Sequence, residues 1–163
     1  DRPGHAELLA GHCGNGLIDG CLLRWFRRSG IVSPVKSHPR DVSHAMLQAV
    51  GSRNVDSVTA CFTPGGTWRN MPHPPAVGRK GLGDMLGRVL RRSEAVRWDV
   101  VTESYSEDRA WLERVDRFWI DGTEYAVRCN GVLEFHPESG LISELRDYVD
   151  LEEWRSRVRH IEF

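Results

Sequence analysis

The chain has 163 residues, 40% of them apolar and 28% charged, which suits one globular domain large enough for a core and an internal pocket. Its 22 Lys and Arg against 23 Asp and Glu, a formal net charge of -1, exclude the positive excess that draws a protein to nucleic acid or an anionic membrane, so neither is expected as a partner. No stretch approaches the roughly 20 consecutive apolar residues of a membrane span, and the run from Leu17 to Leu23 is broken by Asp19 and Gly20, unlike a secretory apolar region; the chain reads as soluble and cytoplasmic.

Residues 1–40 mix Gly, Arg, His and Cys without a sustained period and close on Ser33, Pro34, His38 and Pro39, a linker signature. They read as an N-terminal extension of unknown role, with 41–163 as the functional domain. From Asp41, the spacing of Val42, Ala45, Met46, Ala49 and Val50 predicts a helix, and Asn54 predicts the cap of a second, short helix carrying Val55, Val58 and Phe62. Pro64, Gly65 and Gly66 predict a turn, followed by a short strand over 67–70 and a loop at Pro72, Pro74 and Pro75. A third helix is expected from Lys80 to Arg92, although it contains Gly81, Gly83 and Gly87. Strands are expected over 97–105, 110–120, 125–135 and 141–149, separated by SEDR, DGT and HPESG turns, with a closing helix over 151–159. Helices first and then a run of antiparallel strands is an α+β layout, with helices packed on one face of a curved sheet around a cone-like pocket.

Alternation along the strand at 110–120 puts Ala110, Leu112, Arg114, Asp116, Phe118 and Ile120 on one face. That face is apolar at both ends and ionic at its centre. A buried ion costs several kcal/mol unless it is well partnered, about the cost that an exposed pair avoids, so Arg114 and Asp116 are site candidates. The last strand repeats the pattern, with Asp147 among Leu141, Leu145 and Val149. Trp68 and Asn70, two residues apart, share a third face. These polar groups fit a pocket; they would equally fit a structural salt-bridge network, since such networks also perturb ionisation.

Cys13, Cys21, Cys61 and Cys129 show no CxxC pairing and are too few for a disulfide framework, and the seven histidines are scattered. Neither a metal nor any other cofactor is expected.

The segments WRNMPHPPAVGR (68–79), LERVD (112–116) and LRDYVDLEEW (145–154) resemble, in order and spacing, the signature regions of the limonene-1,2-epoxide hydrolase family over roughly residues 41–158. The resemblance implies a curved mixed sheet of about six strands around a deep apolar pocket, in the broader group of nuclear transport factor 2, ketosteroid isomerase and SnoaL-type polyketide cyclases. It further implies a dimer and cofactor-free addition of water to an apolar epoxide. In that reading Asp147 takes a proton from water, Asp116 gives one to the epoxide oxygen, Arg114 lies between them and Asn70 holds the water. A strained ether leaves poorly until protonated and water attacks poorly until deprotonated, so acid and base act together. Burial raises such carboxyls, the guanidinium lowers them, and their mutual repulsion favours one shared proton.

Two positions depart from the family pattern. Trp68 stands where the family usually has a water-holding tyrosine, and an indole N–H donates but cannot accept; Asn70 and Asp147 are then expected to hold the water. Leu145 replaces a more usual tryptophan, which reshapes the pocket near the base. Leu112, Phe118, Val127, Cys129, Leu145 and Val149 from strands, with Leu47, Val50 and Val89 from helices, form the expected apolar wall, positions that plain core packing would also occupy. Two other readings stay open: a cyclase or isomerase on the same fold, and a non-catalytic binder of hydrophobic ligands.

Overall fold

The computed structural model describes residues 37–163; Cys13, Cys21 and residues 1–36 of the expected extension lie outside the described residues. Helix α1 (Pro39–Gly51) opens with proline at its first position and His38 as its cap, the His38 ring accepting from Arg40 N at 3.2 Å. His38 and Pro39, expected in a linker, therefore start a helix instead: proline is as well suited to a first helical turn as to a connection. Val42, Met46, Ala49 and Val50 fall on its buried stripe. Asn54 caps α2 (Val55–Ala60), accepting from Ser57 N at 2.9 Å.

Phe62, expected at the end of α2, opens strand β1 (Phe62–Asn70). The expected turn at 64–66 is a bulge within that strand, where the pairing register shifts between Phe62 and Thr67. Proline and glycine mark both devices. Gly66 also passes so close to its neighbours that a Cβ would sit 3.1 Å from Ile142 O. A two-residue strand, β2 (Ala76–Val77), then leads into α3 (Gly78–Arg92), which buries Leu82, Leu86 and Leu90 at successive turns. That apolar stripe outweighs the propensity cost of its glycines.

Strands β3 (Ala95–Tyr105), β4 (Arg109–Ile120), β5 (Thr123–Phe135) and β6 (Ile142–Val149) complete the sheet, and α4 (Leu151–Val158) closes the chain, capped by Asp150. The β4–β5 hairpin turns on Asp121 and Gly122, both at positive φ, the two-residue turn whose twist matches the strands. Strand order is β2-β1-β6-β5-β4-β3, antiparallel throughout except for the parallel β1–β6 pair. The result is the expected α+β architecture: a curved six-stranded sheet with helices on one side. No helix among the described residues is long and apolar enough to cross a membrane.

Candidate active site

Along β4 the inner positions Ala110, Leu112, Arg114, Asp116, Phe118 and Ile120 are all buried. Pairing then builds the site across four neighbouring strands. Arg114 lies opposite Cys129 on β5, Gly131 on β5 lies opposite Asp147 on β6, and Asn70 on β1 lies beside Asp147 in the parallel pair. Residues far apart in sequence thus meet on the concave side of the sheet.

Arg114 has no solvent-exposed surface and binds both carboxylates. Its Nε donates to Asp116 Oδ1 at 2.7 Å and its Nη2 to Asp116 Oδ2 at 3.2 Å; Nη2 also reaches Asp147 Oδ2 at 2.8 Å and Cys129 Sγ at 3.2 Å. The guanidinium carbon sits 4.4 Å from the centre of the Trp98 ring, a cation–π contact. Burial pulls the Arg114 ionisation down, and the two carboxylates more than offset this, so it stays charged. Asp116 behaves otherwise: burial raises it, Arg114 lowers it, Asp147 raises it again, and the carboxyl is pushed up to about 6. Burial also pushes the Cys129 thiol up, with Asp147 adding to the effect, so it remains neutral.

Trp68 is nearly fully buried, stacked on Phe62 with ring centres 5.7 Å apart, and its indole N–H donates straight to Asp147 Oδ2 at 2.9 Å. The sequence reading had Trp68 as a residue that merely failed to hold water. It is instead a direct partner of the carboxylate, because the parallel pairing of β1 with β6 sets Trp68 beside Leu145 and Asn70 beside Asp147. Asp147 Oδ2 therefore carries two donors, while Asp147 Oδ1 has none. The Asn70 amide faces the cavity without a hydrogen-bonding partner among the described residues.

Above these groups opens a cavity of about 310 Å³, at the small end of ligand-binding pockets. Asp116, Asp147, Trp68 and Asn70 line it, as do Phe118, Val127, Cys129, Val149 and Val89 from the expected wall. Leu112 and Leu145 do not: both are fully buried in the core beneath the site. Val50 is core as well, and Leu47 packs against its edge, because α1 covers the β3 side of the sheet while α3 and α4 flank the opening. The rest of the wall comes from Met85, Leu86 and Arg88 on α3, Trp98 on β3, Leu151 and Trp154 on α4, and Phe163. Apart from Val89, the cavity residues of α3 were not expected, because its glycines obscure which face turns inward.

Gly131 is a second omission with a readable signal. A side chain there would overlap Arg114 Nη1 and place its Cβ 2.9 Å from Asp147 Oδ1. A glycine inside a strand commonly marks such a close approach, and here it makes room for the guanidinium behind the carboxylates.

This arrangement of strands and helices recurs among solved structures. An epoxide hydrolase of the limonene-epoxide-hydrolase-like type from Mycobacterium tuberculosis superposes with a TM-score of 0.63 at 20% identity, over 75% of this chain and 90% of that one. An epoxide hydrolase/cyclase-like enzyme with a role in pyran ring formation in the polyether salinomycin gives 0.62 at 14% identity, over 71% and 92%. A polyketide cyclase-like protein from Xanthomonas campestris gives 0.63 at 17%, over 74% and 96%. At these identities the likeness is one of fold, and the fold carries epoxide hydrolases, cyclases and ketosteroid isomerase-like proteins. The sequence itself narrows the group: residues 44–145 match the SnoaL-like domain, and the chain belongs to that family.

Proposed function

We propose that the protein is a cofactor-free epoxide hydrolase that converts an apolar epoxide to a vicinal diol in one step. The observation that carries this reading is the pair of buried carboxylates, Asp116 and Asp147, bridged by the single buried Arg114 at the floor of an apolar cavity. With Asp116 pushed up to about 6, it is the carboxyl that carries the proton at mildly acidic pH, and Asp147 is the one that accepts. Water enters between Asn70 and Asp147. As its oxygen bonds to an epoxide carbon, its proton passes to Asp147, the carbon–oxygen bond of the ring breaks, and Asp116 protonates the departing oxygen. Arg114 holds both carboxylates in register and compensates the negative charge that moves from one to the other. An ionised carboxylate has about four acceptor positions, of which Trp68 and Arg114 take two on Asp147.

One observation favours a second reading. The Trp68 N–H is committed to Asp147 and cannot position a water, so a hydroxyl of the substrate itself could serve as nucleophile and give a cyclic ether. Turnover of cyclic, terpene and long-chain epoxides in ¹⁸O-labelled water, with Asp116→Asn as control, separates the two. Labelled diol that disappears in the variant is expected for the hydrolase, and an unlabelled cyclic product would replace it with the cyclase.

A further inference from the structure

Three charged residues line the cavity: Asp116, Asp147 and Arg88. The first two belong to the floor, where Arg114 bridges them. Arg88 has no such counterpart. On the same helix, Arg79 donates to Phe62 O, Lys80 pairs with Asp84, and Arg92 pairs with Asp121, whereas the Arg88 and Arg91 side chains make no ion pair or hydrogen bond among the described residues; of these two, only Arg88 lines the cavity. Burial along α3 also fixes its depth: Leu86 is buried, Met85 and Val89 are half-buried, and Arg88 is exposed. The wall therefore runs from ionic floor through an apolar middle to one uncompensated cation at the mouth.

From this polarity we infer that the cavity takes an amphiphile: an apolar body carrying a carboxylate, which pairs with Arg88 at the mouth while the far end reaches Asp116 and Asp147. The inference rests on the hydrolase reading for the epoxide at that far end, and on the cavity alone for the anion. The volume of about 310 Å³ holds on the order of ten groups at about 30 Å³ each, so a medium-chain acid fits with its carboxylate outside the apolar section. Placed the other way round, the carboxylate would meet two aspartates.

The test uses matched pairs. Calorimetric titration compares undecanoic acid with undecanamide, which lacks the charge, and turnover compares the terminal epoxide of undecylenic acid with its amide. The protein should bind the acid about three- to ten-fold more tightly than the amide, as expected for a solvent-touching arginine–carboxylate pair. That preference should shrink with added salt, fall to about one in Arg88→Gln, and invert in Arg88→Glu. Lys80→Gln, which removes a charge from the same helix away from the cavity, should keep it. Equal binding of acid and amide, or a preference that survives Arg88→Gln, would overturn the inference even if neutral epoxides yield diol. A preference that depends on Arg88 without diol from any epoxide would uphold the anion subsite and overturn the hydrolase reading.

Discussion

Two of the arginines on strand β4, Arg114 and Arg117, stand three residues apart and face opposite ways, and they teach different lessons. On the outer face Arg117 pairs with Asp99 and Glu124 in contact with solvent; its hydrogen bond holds the Asp99 carboxyl below the usual carboxylate range. On the inner face Arg114 also holds two carboxylates, at comparable distances, yet Asp116 rises to about 6. Pairing is common to both faces. Desolvation is the difference, so the depth of the site rather than the presence of an arginine is what lifts the ionisation of a carboxyl toward neutrality.

The comparison breaks most sharply at the acids themselves. Asp116→Asn and Asp147→Asn should each lower epoxide turnover by about two to four orders of magnitude, the usual scale of a lost general acid or base; an Asp147→Asn enzyme with an undiminished rate would end the mechanism. Next comes Arg114→Met, expected to destabilise the fold by about 3–5 kcal/mol at neutral pH by leaving buried carboxylates uncompensated. Arg117→Met should cost no more than about 1 kcal/mol, and urea unfolding of both variants measures the contrast. Gly131→Ala forces the guanidinium aside and should cost about 1–3 kcal/mol, typical of overpacking, with a loss of turnover exceeding that of Arg117→Met.

The pH dependence sharpens the same contrast. The folded-state ionisation of Asp116, about 6, lies above the roughly 3.9 of an unfolded aspartate. Its neutral form therefore favours folding fully below that lower value, and the contribution is lost as pH rises through about 6. Stability should fall over this window in the parent and fall less in Asp116→Asn, as followed by denaturant titration at successive pH values. Turnover should fall above the same pH as the acid loses its proton. The smallest effect is expected at Trp68→Tyr, whose hydroxyl can both donate to Asp147 and accept from water. Its diol yield should equal or exceed that of the parent, and a shift from cyclic product to labelled diol would mark the cyclase reading.

Alternation alone was enough to place Arg114, Asp116 and Asp147 on inward faces, because a period of two leaves no ambiguity once a strand is recognised. It was not enough to separate wall from core. Leu112 and Val127 alternate equally well, but only Val127 borders the cavity, since the depth of a position depends on which helix lies above it. Trp68 shows another limit. Its chemistry was readable as donor-only, yet its partner depended on the register of β1 against β6, strands joined by no local turn. The bulge at Pro64–Gly66 was misread for a related reason: a turn and a bulge draw on the same residues, and only the partner strand distinguishes them.

The insertion of β6 between β1 and β5 has a consequence for how activity arises during synthesis. Until residues 142–149 are made, β1 with β2 and the meander of β3–β5 are separate pieces with open edges, exposed to the pairing errors that unpaired edges invite. Asp147 arrives with the very strand that joins them. Strand β6 thus closes the sheet and delivers Asp147, so that no fragment ending before it can hold both carboxylates, and the paired site forms only with the joined sheet.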